Sequence, residues 1–252
     1  MKITTIASIF VVLIGSTLGY TESIYAEDQQ QSSLSVGLNY SMGIQPYQGK
    51  RTYQSVLPTA FFDNDKVYLE GDEAGVYLLN DDKNELRLNA YYDGSSYDPS
   101  GKFNGLDRRK WSVMAGGSYM RTTPYGGFKA QISTDTLSRS HGTVATASYL
   151  AEFKHDKWSF YPEVGLQWND AKYNQYYYGI SDVEAQRTGL NSYKSKQSFN
   201  PYASLAVNYD MTKHWSIFGT FQVDYLSKEQ ADSPFVTRRT DFNPSIGIKY
   251  KF

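Results

Sequence analysis

The sequence predicts an all-β protein, an antiparallel transmembrane β-barrel of about twelve strands, and three observations carry that prediction. Apolar and polar side chains alternate with a period of two, aromatics stand at both ends of the apolar rows, and the connections alternate between short and long. Period two is strand geometry, because successive side chains point to opposite faces. Segments of about ten residues match the tilted strands that cross a bilayer.

Composition narrows the choice before any element is placed. The chain has 252 residues, 25 basic and 26 acidic, with no cysteine and 16% aromatic side chains. The net charge of −1 removes the electrostatic case for nucleic acid. Zero cysteine excludes disulfides, thiolate metal sites and cysteine nucleophiles. A mean hydropathy of −0.54 is too polar for a helical membrane protein, and the aromatic content is too high for a disordered chain.

The first element is an export signal. Lys2 precedes the short apolar run Ile6–Ile14, and small residues lead to Tyr25-Ala26 before Glu27-Asp28. This is the layout of a secretory signal peptide over 1–26, with cleavage between Ala26 and Glu27 and a bulky Ile24 at the −3 position. The remainder, 27–252, reads as a single outer-membrane barrel domain with no helical segment, repeat or linker.

The strands follow. Leu34, Val36, Leu38, Tyr40, Met42 and Ile44 alternate with small polar residues, and Trp158, Phe160, Pro162, Val164, Leu166 and Trp168 do the same. Segments 199–211, 215–225 and 242–252 repeat the pattern. Trp158 with Trp168, Trp215 with Tyr225, and Phe242 with Tyr250 and Phe252 bracket their rows as headgroup layers require. Strands are expected near 34–44, 54–63, 66–71, 73–80, 84–97, 110–122, 125–135, 143–155, 157–169, 198–211, 213–228 and 240–252. With both termini in the periplasm, the tight connections at Asn64-Asp65, Asp81-Asp82-Lys83, Thr123-Pro124, Asp156 and Thr212 fall inside. The longer ones, 45–53, 98–109, 136–142, 170–197 and 229–239, fall outside. The short external connection near Asp72 breaks the rule, and the weak pair around Lys66–Asn80 is where a count of ten would arise. A C-terminal strand ending Tyr250-Lys251-Phe252 suits the outer-membrane assembly machinery.

Four stretches carry a family resemblance. They are Tyr176-Tyr177-Tyr178-Gly179 with Glu184-Ala185, Gly189-Leu190 and Tyr193; Leu106-Asp107-Arg108-Arg109-Lys110; Asp135-Thr136-Leu137; and Asp232-Ser233-Pro234-Phe235-Val236. With the closing Gly247–Phe252, they make the chain resemble the MipA/OmpV family of Gram-negative outer-membrane proteins over essentially its whole mature length. The resemblance implies a β-barrel without known catalysis. Its implied role is a scaffold in peptidoglycan biosynthesis, joining a murein-cleaving lytic transglycosylase to a bifunctional penicillin-binding protein. It supplies no catalytic residues to carry over.

The residues offer little chemistry of their own. Asp135, Ser138, Ser140 and His141 share one loop, where such a cluster arises cheaply, and His155 and His214 sit at turns beside aromatics. Asp63-Asn64-Asp65 and Asp81-Asp82 are acidic, but tight turns choose Asp and Asn for backbone reasons. No cofactor or metal is expected. Inward Arg87, Lys129, Glu152, Glu163, Gln167, Asp210 and Asp224 would line or plug the lumen, and bulky inward Tyr161 and Tyr202 favour a filled one. The candidate recognition loop is 170–197, with Tyr176, Tyr177, Tyr178, Gly179, Glu184, Gly189 and Tyr193. Its tyrosines are either contact surface, a lid, or rings that fold the loop onto the rim. Two functions stand: the scaffold, and a barrel acting through its outer loops as a narrow pore or adhesin. The partners expected are outer-membrane lipid and the two wall enzymes.

Overall fold

A computed structural model describes residues 33–48 and 52–252. The expected signal peptide, with Ala26 and Glu27, lies outside the described residues. The strands are β1 (Ser33–Ile44), β2 (Thr52–Asp63), β3 (Val67–Glu70), β4 (Glu73–Asn80), β5 (Asn84–Asp93), β6 (Ser112–Thr123) and β7 (Gly126–Asp135). After them come β8 (Thr143–Leu150), β9 (Phe153–His155), β10 (Trp158–Asn169), β11 (Ser198–Asp210), β12 (Trp215–Tyr225) and β13 (Thr240–Lys251). All pairings are antiparallel and join sequence neighbours, save that β8 pairs β10 past β9, and β13 returns to β1 from Ser35↔Lys251 to Ile44↔Phe242, which closes the ring. Segments β8 and β9 lie end to end along one edge of β10, so thirteen segments make twelve staves. Twelve, not ten, is the count: β3 and β4 are separate staves although they are only four and eight residues long.

The two faces divide as the alternation predicts. Leu38, Val56, Leu88, Phe128, Ile132, Val164 and Ile246 stand exposed on the outside, while Ser35, Arg87, Gln131, Glu163 and Ser204 are buried toward the lumen. At the end carrying the tight turns, outward rings gather: Trp158 lies 4.5 Å from Tyr209, and Trp215 lies 5.1 Å from Tyr250. Polar turn residues fix this end. Asp63 Oδ1 accepts from the Asp65 N–H at 2.9 Å, and Asp81 Oδ1 accepts from the N–H groups of Lys83 and Asn84 at 2.8 Å each.

The lumen is filled along its middle. Arg87 is 2% exposed, pairs with Glu70 at 3.0 Å and Glu85 at 2.5 Å, and lies 4.1 Å over the Tyr68 ring. Tyr68 donates to Glu73 at 2.5 Å, and on another part of the wall Tyr202 donates to Glu163 at 2.5 Å. The gap left among Lys129, Gln131, Glu163 and Tyr202 is about 10 Å³, the lower limit for a single water.

The wall has one low point. The β3–β4 turn at Gly71-Asp72 ends level with Ala60 and Tyr92, since the Gly71 N–H donates to Ala60 O and the Tyr92 N–H to Asp72 O, both at 3.1 Å. Among the described pairings, β2 continues from Ala60 to Thr52 with β1 alone beside it. Ala60 O points to the β3 side, so the alternate residue Pro58 turns its N–H-less nitrogen to that open edge, where no bond is lost. The short connection near Asp72 therefore stops part-way up the wall.

The expectation of no helix is corrected. Among the described residues three helices occur, α1 (Ala171–Tyr178), α2 (Asp182–Thr188) and α3 (Lys228–Ala231), with a 3-10 turn at Gly101–Phe103. All lie in the long connections. The strand expected over 84–97 stops at Asp93, whose carboxylate accepts the Ser95 N–H at 3.0 Å and turns the chain.

Candidate functional site: a folded cap on the barrel mouth

The long connections fold together into a cap with its own core. Local sequence starts each helix of the 170–197 segment. Asp170 accepts from the Tyr173 N–H at 2.7 Å to cap α1. Ser181 and Glu184 form a reciprocal box at the start of α2, with the Ser181 N–H donating to Glu184 Oε2 at 2.9 Å and the Glu184 N–H to Ser181 Oγ at 3.3 Å. Gly189 ends α2 at φ 71, a left-handed conformation that glycine adopts without strain. Gly179 ends α1 so tightly that a Cβ there would meet the Gln175 side chain at 2.1 Å.

Two aromatic clusters form beneath the helices. Tyr47, Tyr97, Phe103, Leu106, Ile180 and Phe235 make one; Met114, Val144, Tyr173 and Tyr177 make the other. Rings stack at 5.6 Å between Tyr47 and Phe235 and at 5.0 Å between Tyr97 and Phe235. Tyr177 is 1% exposed and donates to Lys110 O at 3.1 Å, while Tyr176 is half-buried and accepts the Lys110 N–H at 2.9 Å. Tyr178 is half-buried beside Tyr47, and its carbonyl takes the Ser233 hydroxyl at 2.6 Å. Tyr193 bridges Ile180 and donates from its hydroxyl to Glu229 O at 2.8 Å. Burial pushes the Tyr173, Tyr177 and Tyr178 hydroxyls well above the usual phenol range, and that of Tyr97 up to about 12, so all stay neutral.

One carboxylate ties two connections of the cap together. Glu184 accepts from Arg109 Nη2 at 2.6 Å, and from the N–H groups of Asp107 and Ser181 at 2.9 Å each. Burial alone would raise its pKa, but the hydrogen bonds from Ser181 and Asp107 and the charge of Arg109 outweigh it and hold the carboxyl below the usual range. Arg187 on the outer face of α2 reaches Asp107 at 2.8 Å. A second polar set lies beneath α1 and α3. Asn174 Nδ2 donates to Lys196 O at 2.6 Å and to Ser198 Oγ at 2.9 Å, Gln230 Nε2 donates to Asn174 Oδ1 at 3.1 Å, and Asn200 bonds Gln230.

Three of the four stretches that carried the resemblance thus meet in one place. Leu106 and Phe235 share a cluster, Arg109 reaches Glu184, and Ser233 reaches Tyr178. The tyrosine rings that sequence offered as contact surface turn inward; α2 instead presents Asp182, Val183, Gln186 and Arg187 to solvent. Sequence reasoning assigned no contact to Arg109, Asn174 or Gln230. Their partners lie far along the chain, although the Ser181-to-Glu184 spacing was a readable helix start.

Asp135 serves the loop it starts. Its carboxylate accepts the N–H groups of Leu137 at 3.0 Å, Ser140 at 2.6 Å and His141 at 2.9 Å, so His141 meets it through the backbone. At the other end of the barrel, the His214 ring stacks 5.6 Å from Tyr250, and the Phe252 N–H donates to Leu34 O at 3.0 Å.

The family model described as MltA-interacting protein MipA matches residues 26–252. The MltA-interacting protein of Escherichia coli (strain K12) is 32% identical over 245 residues, covering 96% of each chain, and the protein of that name from Shigella flexneri matches equally. Outer membrane protein OmpV of Vibrio cholerae is 23% identical over 171 residues, 66% of each chain. Among solved structures, an outer membrane channel from Pseudomonas putida F1 gives a TM-score of 0.47 at 8% identity, over 93% of this chain and all (100%) of that one.

Proposed function

The chain belongs to the MltA-interacting protein MipA family, and from that premise we propose that it is a non-enzymatic scaffold of the outer membrane. In this reading it brings a murein-cleaving lytic transglycosylase together with a bifunctional penicillin-binding protein, coupling wall cutting to wall synthesis. The mature protein is proposed to begin at Glu27 as one barrel domain, in contact with outer-membrane lipid along its apolar face.

The observation that carries the reading is a barrel obstructed at two levels. The cap covers the loop end, and Arg87 with its carboxylates and rings fills the middle. A barrel so filled is poorly built for solute passage, which leaves its surfaces to act. Outer-membrane barrels turn their short connections to the periplasm, where wall enzymes work. The turns at Asn64-Asp65, Asp81–Lys83, Asp156 and Thr212 are therefore the surfaces proposed to meet them. A partner approaching from outside would meet the exposed side chains of α2 rather than the Tyr177 ring.

Surface plasmon resonance on the purified barrel tests this. A lytic transglycosylase and a bifunctional penicillin-binding protein should each bind, and simultaneously, above an unrelated barrel. Retention of neither would sink the scaffold reading.

A further inference from the structure

At the turn end the lumen widens into a cavity of about 490 Å³ that the scaffold reading leaves unused. Four adjacent strands, β11, β12, β13 and β1, build its wall. Lys249 and Lys251 share the inward face of β13, and the register sets Ser35 of β1 opposite Lys251 and Ser216 of β12 opposite Lys249. Two turns add Lys157 and Lys213, so four lysines line one space with Asp210 as the single acidic residue of the lining among the described residues. That aspartate is engaged by its own wall: its Oδ1 accepts from Ser216 Oγ at 2.6 Å and from Asn208 Nδ2 at 2.9 Å.

The cavity has a floor. The Lys249 ammonium sits 4.9 Å over the Phe61 ring, and Phe61 packs edge-on against Phe218 from β12 at 5.7 Å. These rings reach over the intervening strands β13 and β1, and the filled middle of the lumen lies beyond them. These rings thus stand on the inner side of the pocket, whose lining turn residues Lys157, Thr212 and Lys213 mark its opening toward the turns.

Cations on a concave wall of low dielectric reinforce one another's potential and concentrate anions there. Lysine ammonium groups on flexible stems bring three donors each to an oxyanion without fixing its orientation. The chain as a whole carries a charge of −1, so this excess is local. A pocket with rings across its inner side receives the end of a polymer more readily than its middle. Its volume greatly exceeds a lone phosphate, and buried Ser35 and Ser216 offer hydroxyls to neutral amides.

We propose that this pocket binds the carboxylate-bearing free end of a peptide presented from the periplasmic side. The terminal carboxylate and acidic side chains meet Lys249, Lys251, Lys213 and Lys157, and the amides of the last residues meet the two serines. The proposal is independent of whether wall enzymes dock on the turns.

The test uses the full-length mature barrel in nanodiscs of neutral lipid and a fluorescein-labelled tetra-aspartate peptide with a free C-terminus, read by anisotropy. Saturable binding is expected, weaker as salt rises and several-fold weaker for the C-terminally amidated peptide. Lys249→Gln with Lys251→Gln should reduce affinity at least tenfold, and Lys213→Gln, in an exposed turn that leaves folding untouched, several-fold. Lys66→Gln with Lys83→Gln removes the same charge from other turns at this end and should change little. The heat-dependent gel shift confirms that each variant is folded. Absence of saturable binding overturns the proposal. Equal loss in the Lys66/Lys83 pair overturns it in favour of a diffuse surface field, and equal competition by inorganic phosphate overturns it in favour of a general anion site.

Discussion

Arg109 and Glu184 meet at 2.6 Å with side-chain exposures of 7% and 4%, joining the segment that leads into β6 to the first turn of α2. The same carboxylate takes the Asp107 and Ser181 N–H groups, so the pair is sealed and its hydrogen bonds are largely made. Removing one partner of a buried pair leaves the other charged and unsolvated.

Arg109→Ala should therefore destabilise the cap by ~3 kcal/mol while the barrel stays folded. Limited proteolysis in detergent should cut within 170–197, and the uncut wall should keep its heat-dependent gel shift. A cap as resistant as wild type would show that the aromatic clusters alone hold it.

The same carboxylate sets a pH dependence. Its folded pKa is depressed, so its contribution is fully present above the unfolded value of about 4.3 and is lost as pH falls through the folded value. The tyrosine near-UV circular dichroism should hold through neutral pH and weaken below about pH 4. In Glu184→Gln that acid-side step should be absent, with a weaker cap at every pH.

Obstruction at two levels predicts how conductance would emerge. Wild type should give no discrete channels in planar bilayers. Deleting residues 171–192 removes α1 and α2 from the cap but leaves Arg87, Glu70 and Tyr68 in the lumen, and should still give none. Combining that deletion with Arg87→Ala and Glu70→Ala should produce discrete openings. Conductance in the cap deletion alone would show that the middle of the barrel is not sealed.

Phe252 is 70% exposed and is held by its backbone N–H on Leu34, so its ring adds little to the finished fold. If the C-terminal strand is an assembly signal, Phe252→Ala should lower the amount reaching the outer membrane several-fold. Its melting temperature after refolding in detergent should stay within a few degrees of wild type. A large melting shift with normal delivery would reverse the assignment.

The wall was legible in the sequence because one physical rule, alternation between lipid and lumen, acts on every residue of it. The segment expected at 157–169 is found at Trp158–Asn169, and 34–44 at Ser33–Ile44. The rule misled at 84–97, where the expected strand ran on to Tyr97, because Tyr97 is buried in the cap rather than placed in a belt. Helix α1 was hidden by Tyr176-Tyr177-Tyr178, residues of strand-like propensity that tertiary burial overrides. The capping box at Ser181 was readable, but Arg109 lies 75 residues from Glu184, and one sequence holds no mark of that pairing.

The cap also bears on the order of events in time. Tyr47 follows the first strand and Phe235 precedes the last, and their segments are laced by Gln48 N–H to Phe235 O at 2.7 Å and Thr237 N–H to Pro46 O at 2.8 Å. Strands β1 and β13 are the pair that closes the cylinder. Contacts that join the two ends of a chain form late, after nearer ones have shortened the loop between them. The outer loops are therefore a clasp that fastens only when the seam below it has shut, and an ordered cap is a sign that assembly is complete.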